Sequence, residues 1–452
     1  MRKTRTHSIL ALVLTMILLT FMLPGVAENA GLPTDKQVHL TVMTNTLMKG
    51  VFDTNAEGAE YTDYFNYVAK RFTEMYPNVT IEVQAINGSE RAAILNTALQ
   101  SEKQPDVFFD TVMALTDYAH LGALAPLDDI VEEDRSDIEE GLWKLGIVGD
   151  QLYFYPFAQS TGVYQVNREF FERAGLADIL PPAGELGKWT VEEYENVLKT
   201  LKASITDDGF YPMGFYCANN QSDQFSNTLL KMYGGEIFNE DSSACIANDP
   251  LTVKGMETIK SWADAGYIQP SPESATYITT REMFRNRQLA IVSTSSSNAL
   301  ADLYDMQGGV IPAFDVSYFT IPGNQSLSML YGGCVFQQKD PDRVAFAKEF
   351  VRFFSTDEEL VTASAILALP VRRSVMEKVA GQNQAADIMM QASPYVKDFT
   401  GNIPNYVEFR NLLYPTFQAV FTGLKDPQTA MDDLANDATE LIEEGRSDSV
   451  LF

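Results

Sequence analysis

The stretch QLYFYPFAQSTGVYQVNREFFERAGL, residues 151–176, decides how this chain folds. It begins with aromatic residues around a proline and continues into a small polar step, residues 159–162. A short extended segment then enters a helix, because Asn167 can cap the first turn and Gly175 supplies the left-handed residue that ends it. Aromatic rings beside small hydroxyl side chains favour a chain that crosses between two globular halves along the floor of a cleft. An ordinary core strand with a loop is the alternative.

Strand and helix patterns alternate before this stretch. Strands are predicted over 38–42, 79–85 and 106–109, and helices over 65–75 and 89–101. This order predicts a mostly parallel sheet with right-handed crossovers, whose ligands bind beyond the carboxyl ends of the strands. Asn45 and Asp110 follow the first and third predicted strands and are therefore candidate ligand contacts. A turn or capping role is the alternative for each.

The N-terminal residues have the pattern of a secretory signal. Arg2, Lys3 and Arg5 precede an apolar run, residues 9–23, and small residues follow at 24–27. The run is short for a membrane span, so we expect a signal peptide over residues 1–27, cleaved after Ala27 or Ala30. An uncleaved anchor is the alternative. No cysteine lies at the end of the run, so a lipid anchor on cysteine is not expected.

Composition limits the functions open to the chain. At 452 residues it exceeds one ordinary core, so two domains are expected. The formal net charge is −28 and no basic patch offsets it, which argues against a nucleic-acid partner. Cys217, Cys245 and Cys334 predict buried apolar side chains or one optional bridge, with pairing of Cys217 and Cys245 left open. Only His39 and His120 remain after the signal, so neither a metal nor another cofactor is expected.

Several motifs occur in an order that resembles one protein family. They are PDV at 105–107, GALAPLD at 122–128, the pattern PF…ST…Y…NR…F…AGL within 156–176, TREMFRNRQLAIVSTSSSNAL at 280–300, YGGCVF at 331–336, LALPVRR at 367–373 and residues 401–445. The chain thereby resembles the family-1 extracellular solute-binding proteins of ABC importers, most closely their sugar-binding and glycerol-phosphate-binding branch. Arg287 stands where the family usually has glycine, so this turn must differ or adopt a positive φ at some cost.

The resemblance implies an α/β fold with two lobes, the class II type of periplasmic-binding-protein fold. The lobes would be joined by crossovers and would enclose a ligand cleft. We expect residues 36–158 and 296–343 in the N-terminal lobe, and residues 159–295 and 344–446 in the C-terminal lobe. The crossovers are expected near 158–162, 293–298 and 340–346.

The predicted ligand site draws on both lobes. Its residues are Asn45, Asp110, Ser160, Tyr216, Ser295, Ser296, Tyr331, Gly332, Gly333 and Arg410. Paired glycines let backbone N–H groups approach a ligand closely, and hydroxyl and aromatic side chains suit a sugar. The resemblance aligns Arg410 with an arginine that the glycerol-phosphate branch uses for its ligand. The alternatives are a surface salt bridge for Arg410, core packing for Tyr216 and a flexible linker for the serine cluster.

These features predict a secreted, monomeric binding protein without catalytic residues. It would capture a carbohydrate or polyol derivative by hinge closure and deliver it to ABC permease subunits in the membrane. Glycerol-phosphate or phosphodiester binding by the same fold is one alternative, and a secreted glycoside hydrolase with two carboxylates is another. A surface adhesin or sensor partner is a third. The carboxylate of Asp110 would repel a phosphate, whereas Arg410 suits one. A neutral saccharide is favoured, because a single arginine among many acidic residues is a weak basis for a phosphate site.

Overall fold

The computed structural model describes residues 32–46, 49–51, 57–87, 90–356, 368–381 and 383–448. The predicted signal peptide, residues 1–27, lies outside these residues. The strands are β1 (Val38–Asn45), β2 (Val79–Ile86), β3 (Val107–Thr111), β4 (Ile147–Val148), β5 (Gln151–Leu152), β6 (Tyr155–Asn167), β7 (Tyr211–Met213), β8 (Leu289–Ser295), β9 (Val316–Phe319), β10 (Leu327–Val335) and β11 (Leu369–Pro370).

Helices cover the faces of the sheet and separate most of its strands in sequence. They are α1 (Asp63–Met75), α2 (Arg91–Gln100), α3 (Thr116–His120), α4 (Glu140–Lys144), α5 (Arg168–Arg173), α6 (Val191–Ser204), α7 (Asp223–Leu230), α8 (Pro250–Asp264), α9 (Tyr277–Arg285), α10 (Ser296–Gln307), α11 (Pro341–Thr356), α12 (Arg373–Val379), α13 (Gln384–Met390), α14 (Tyr406–Phe421) and α15 (Pro427–Asp448). Among the described residues, no helix is both long and apolar enough to cross a membrane.

The sheet is mixed rather than mostly parallel. Its strands follow the order β2-β1-β3-β10-β6-β8-β7, and β9 and β11 also pair with β6. The predicted β-α-β start is confirmed, since β1 pairs in parallel with both β2 and β3. The difference arises at β10 and β6, which pair antiparallel with their neighbours. Asn45 and Asp110 lie in the last two residues of β1 and β3 rather than after them.

The opening stretch of the sequence becomes β6, which is buried along its whole length. Its first half pairs with β10, and its second half pairs with β8 and β9. The predicted end of the strand is confirmed, since the Asn167 side chain accepts a hydrogen bond from the Glu169 N–H at 3.1 Å. Gly175 ends the following helix with a φ of +75°. Local chemistry therefore fixes where this strand stops and α5 begins.

Two aromatic clusters pack against β6, one at its first half and one at its second half. In one, Phe157 of β6 contacts Phe354, whose ring centroid lies 4.2 Å from that of Phe109 in β3. In the other, Tyr164 of β6 contacts Trp189, which stacks on Phe319 of β9 at 4.1 Å. Each aromatic pair adds about 0.5–1.5 kcal/mol beyond its burial. One strand thus contributes to two separate hydrophobic cores.

Two of the segments near the predicted crossovers have local structure that the sequence did not specify. Arg287 adopts a φ of +57°, so the turn keeps the left-handed conformation without a glycine. Residues 340–346, expected to form a crossover, contain the start of α11, where Lys36 pairs with Asp340 at 2.9 Å and Arg343 pairs with Asp106 at 2.6 Å. Helix α11 also packs against β1 and α1.

Candidate ligand-binding site

Asp110 is the centre of a polar cluster at the carboxyl ends of the first strands. Its carboxylate accepts hydrogen bonds from the Thr111 N–H at 2.6 Å and from the side-chain amide of Asn45. Arg91, at the start of α2, donates to the second carboxylate oxygen at 2.9 Å. Burial raises the pKa of Asp110, and the Arg91 charge opposes that shift. Two predicted site residues therefore touch each other and share a cationic partner.

Arg91 was missed by the sequence reasoning, although a signal for it exists. The rule that placed Asn45 and Asp110 concerns residues at the carboxyl ends of parallel strands. Strand β2 is parallel to β1 and ends at Ile86, and Arg91 begins the helix that follows. Applying the same rule to the second strand would have drawn attention to this segment.

Strand β10 places Tyr331, Gly332 and Gly333 beside this cluster. Gly332 lies opposite Asp110 and Tyr331 lies opposite Thr111 in the antiparallel pair with β3. A Cβ at Gly332 would come within 2.2 Å of the Tyr155 carbonyl oxygen, and one at Gly333 within 2.8 Å of the Phe109 ring. Tight packing on both sides of β10 thus explains the glycine pair. Its predicted contact with a ligand stays a prediction.

The serine residues at the first two predicted crossovers lie together. The hydroxyls of Ser160 and Ser297 are hydrogen-bonded at 3.0 Å, and Ser296 accepts from the Thr161 N–H at 3.2 Å. Ser295 caps α10 by accepting from the Asn298 backbone N–H at 3.4 Å, and it also accepts from the Asn298 side-chain amide at 2.8 Å. These hydroxyls join β6 to the junction of β8 and α10, so the cluster is part of an ordered turn rather than a flexible linker.

Tyr216 lies next to β8, the strand that pairs with the second half of β6. Its ring contacts Tyr277 at 5.9 Å between centroids, and it lines a small pocket with Tyr164 and Ser293. The side chain is buried, in keeping with the alternative of core packing.

The pairing of β6 with β10 places several of the other predicted residues close together. In this antiparallel pair Met329 lies opposite Ser160, and Tyr331 lies opposite Ala158. The sheet thus brings Ser160, Tyr331 and the Asp110 cluster onto adjacent strands.

Arg410 lies on α14 and is engaged by a buried carboxylate. Its guanidinium lies 2.9 Å from Asp223, and its Nη2 donates to the Asn220 carbonyl at 3.0 Å. The Asp223 carboxylate also accepts a hydrogen bond from the Tyr406 hydroxyl at 2.9 Å. Burial raises the pKa of Asp223, and the charge of Arg410 opposes that shift. Asp223 was not predicted, because its distance from Arg410 in sequence hides the pair.

The described residues contain no cluster of His, Cys, Asp and Glu arranged to hold a metal ion. Cys217, Cys245 and Cys334 are each free and buried, so the optional bridge is not formed. Burial raises the pKa of the Cys245 thiol to about 12, which makes it an unreactive apolar side chain. The chemistry of the site is therefore that of hydrogen bonds, aromatic rings and paired charges.

Comparison with known proteins identifies the family. The family described as "Bacterial extracellular solute-binding protein" matches residues 57–360. The chain belongs to this family. The predicted family resemblance is thereby confirmed, and the family's description as extracellular fits a location outside the cytoplasm.

Two curated members of the family resemble this chain over most of their length. The diacetylchitobiose binding protein DasA of Streptomyces coelicolor is 26% identical over 365 residues, which cover 78% of this chain and 80% of DasA. The sn-glycerol-3-phosphate-binding periplasmic protein UgpB of Yersinia pseudotuberculosis is 24% identical over 400 residues, 81% of this chain and 86% of UgpB. The name of DasA states a sugar and that of UgpB states glycerol phosphate, and both ligand classes were predicted as alternatives from the sequence.

A solved member of known fold also matches. The sugar-binding protein MalE from the phytopathogen Xanthomonas citri superposes with a TM-score of 0.72 at 16% identity, over 90% of this chain and 98% of MalE. At this level of identity the match shows the fold. The predicted two-lobed α/β periplasmic-binding fold is confirmed.

Proposed function

We propose that this protein captures a neutral saccharide or polyol derivative outside the cytoplasm and delivers it to an ABC permease. The choice of a neutral ligand rests on one observation, which is that carboxylates neutralise the arginine charges at the site. Arg91, beside the predicted site, is paired with the buried Asp110, and Arg410, within the predicted site, is paired with the buried Asp223. The site therefore offers hydrogen-bonding groups without a surplus of positive charge, as a neutral ligand requires.

A phosphate ligand would need a different arrangement. Arginine recognises phosphate through two parallel N–H groups of its planar fork. In Arg410 the Nη2 of that fork already donates to Asp223 and to the Asn220 carbonyl. A phosphate at this place would have to displace a buried carboxylate or lie beside it, and both cost free energy in a low-dielectric interior. The ion pair thus favours sugar over glycerol phosphate.

Glycerol phosphate is the second candidate. It is supported by the likeness to UgpB, whose name states that ligand, and by the partial exposure of the Arg410 side chain, 17%. DasA, whose name states a disaccharide, supports the first candidate at similar coverage. The two candidates differ in net ligand charge, which makes them separable by experiment.

Binding would close the two lobes around the ligand. We keep the expected lobes, residues 36–158 with 296–343 and residues 159–295 with 344–446, with one refinement. The contacts of α11 with β1 and α1 favour placing this helix in the N-terminal lobe. A ligand held between the lobes stabilises the closed form by its differential affinity for that form. The permease would recognise this closed, monomeric protein, and the bound molecule would leave chemically unchanged.

A ligand panel tests the proposal. The purified protein is mixed with diacetylchitobiose, maltose, glycerol and sn-glycerol 3-phosphate, and thermal unfolding is followed. A ligand at 100 times its dissociation constant should stabilise the protein by about 2.7 kcal/mol. Chromatography of the recovered sugar should show no new product. Stabilisation by the phosphate ester alone, or hydrolysis of a sugar, would contradict the proposed function.

A further inference from the structure

Helix α3 is hydrogen-bonded to residues 402–405, which precede α14. The Asn405 N–H donates to the Asp117 carboxylate at 3.1 Å, and the His120 ring donates from Nε2 to the Asn402 carbonyl at 2.7 Å. The Asn402 side-chain amide donates to the carbonyls of Lys144 and Ile147 at 2.9 and 2.8 Å. Four hydrogen bonds therefore connect residues 117–147 of one proposed lobe with residues 402–405 of the other.

The 402–405 segment is shaped in advance for this contact. Asn402 and Asn405 both adopt left-handed backbone conformations, with φ of +46° and +61°. The Thr400 hydroxyl donates to the Asn402 side-chain oxygen at 3.1 Å, which aims the amide nitrogen of Asn402 at α4. Phe399 anchors the segment to α7, since its carbonyl accepts from the Asn227 side chain at 2.9 Å. Left-handed residues other than glycine cost free energy, so the surrounding contacts must hold them in place.

We propose that α3 and residues 402–405 form a latch that holds the two lobes closed and so sets the affinity for the ligand. The latch residues are positioning residues, since they are distinct from the predicted ligand contacts. This inference rests on the proposed function in one respect, namely that the lobes open and close. A protein whose closed form is stabilised by its own contacts binds more tightly, because less of the ligand's binding energy is used for closure.

Two titratable groups in the latch respond to closure in opposite directions. Asp117 faces Glu408 of α14 and Arg91 of α2, and burial raises its pKa to about 6. His120 lies near Arg446 of α15, and burial lowers its pKa. The adjacent Tyr118 is influenced by Arg91, Asp117 and Asp110, and burial raises its pKa to about 12, so it stays neutral between pH 5 and pH 8.

The sign of each effect follows from the direction of its pKa shift. If Asp117 returns to its ordinary value of 3.8 when the lobes open, closure takes up a proton, and acid favours the closed form. Between pH 7.5 and pH 5 this contribution changes the ratio of closed to open protein roughly tenfold. Closure of the wild type requires His120 to lose its proton, so for this group acid favours the open form. The two contributions offset each other in the wild type and separate in single variants.

Single-molecule fluorescence without any ligand tests the latch by itself. The exposed residues Met75 and Leu424 are replaced by cysteine and labelled, while the three native cysteines are buried. Asn402→Ala should lower the closed fraction at pH 7.5. Asp117→Asn keeps an acceptor for the Asn405 N–H but removes the buried charge, so it should raise the closed fraction at this pH. Thr97→Ala on α2 is the control, because its hydroxyl bonds only the Ala93 carbonyl on the same helix. An unchanged closed fraction in both latch variants would overturn the proposal.

The pH profile of binding supplies the second readout, with diacetylchitobiose and sn-glycerol 3-phosphate as probes. The ratio of variant to wild-type Kd should rise about tenfold for Asp117→Asn from pH 7.5 to pH 5, and should fall for His120→Gln. Ratios that do not change with pH for either variant would contradict proton-linked closure. If the closed fraction shifts as expected but neither probe binds any variant, the latch stands and the proposed function fails.

Discussion

Arg410 and Asp223 form an ion pair 2.9 Å apart, in which the carboxylate is completely buried. The Tyr406 hydroxyl completes the surroundings of the carboxylate from the same helix as Arg410. A buried charge is tolerated only when it is paired and hydrogen-bonded. The arginine that the sequence suggested as a phosphate ligand is therefore required first as the partner of an internal carboxylate.

This pair predicts a large loss of stability when its arginine is removed. Arg410→Met leaves Asp223 buried without a cationic partner, which should lower the free energy of unfolding by about 3–5 kcal/mol. Chemical denaturation at neutral pH measures the change. The matched control is Arg173→Met, which breaks the exposed pair of Arg173 with Asp207 at 2.6 Å. That change should have little effect, and equal losses in both variants would show that the buried pair has no special role.

Asp110 predicts a change in ligand preference. In Asp110→Asn the charge of Arg91 loses its carboxylate partner, so affinity for sn-glycerol 3-phosphate should rise. Affinity for a neutral sugar should fall by about 1.5–3 kcal/mol, the range for a hydrogen bond to a charged group. Arg410→Ala should cost the sugar less. Calorimetry on both variants checks the order, and a greater loss of sugar binding in the arginine variant would contradict it.

Gly332 predicts a packing defect. An alanine Cβ here would lie 2.2 Å from the Tyr155 carbonyl oxygen, so β10 and β6 must separate to accept it. We expect Gly332→Ala to lower the free energy of unfolding of the ligand-free protein by about 1–3 kcal/mol or more. Gly141→Ala, whose new Cβ would lie 3.3 Å from the Val396 carbonyl oxygen, should cost less. Unchanged stability combined with lost binding would instead assign Gly332 to ligand contact alone.

Local sequence signals predicted much of the fold. Asn167 and Gly175 bounded α5, and the alternating segments gave β1 to β3. These features depend on neighbouring residues or on short repeats, which a single sequence displays directly. The antiparallel entry of β10 between β3 and β6 was not visible, because it joins segments far apart in the chain.

The sequence predicted where some candidate residues lie in the sheet, but not which residues they contact. Asn45 and Asp110 were found because parallel strands end at one edge of a sheet. Their partner Arg91 and the partner of Arg410, Asp223, depend on tertiary contacts between elements with no local signal of pairing. The glycines of β10 were singled out for close approach to a ligand, whereas the structure gives a backbone contact that already requires Gly332. The paired glycines indicated that there is little space beside β10, but they did not show which atoms fill that space.

Isothermal titration calorimetry of the purified protein against diacetylchitobiose and sn-glycerol 3-phosphate, under identical buffer and salt, tests the preference for a neutral ligand directly. We expect saturable one-to-one binding of the neutral sugar, with the sugar recovered intact and the phosphate ester bound more weakly or not at all. Tight binding of the phosphate ester without binding of the sugar would contradict it.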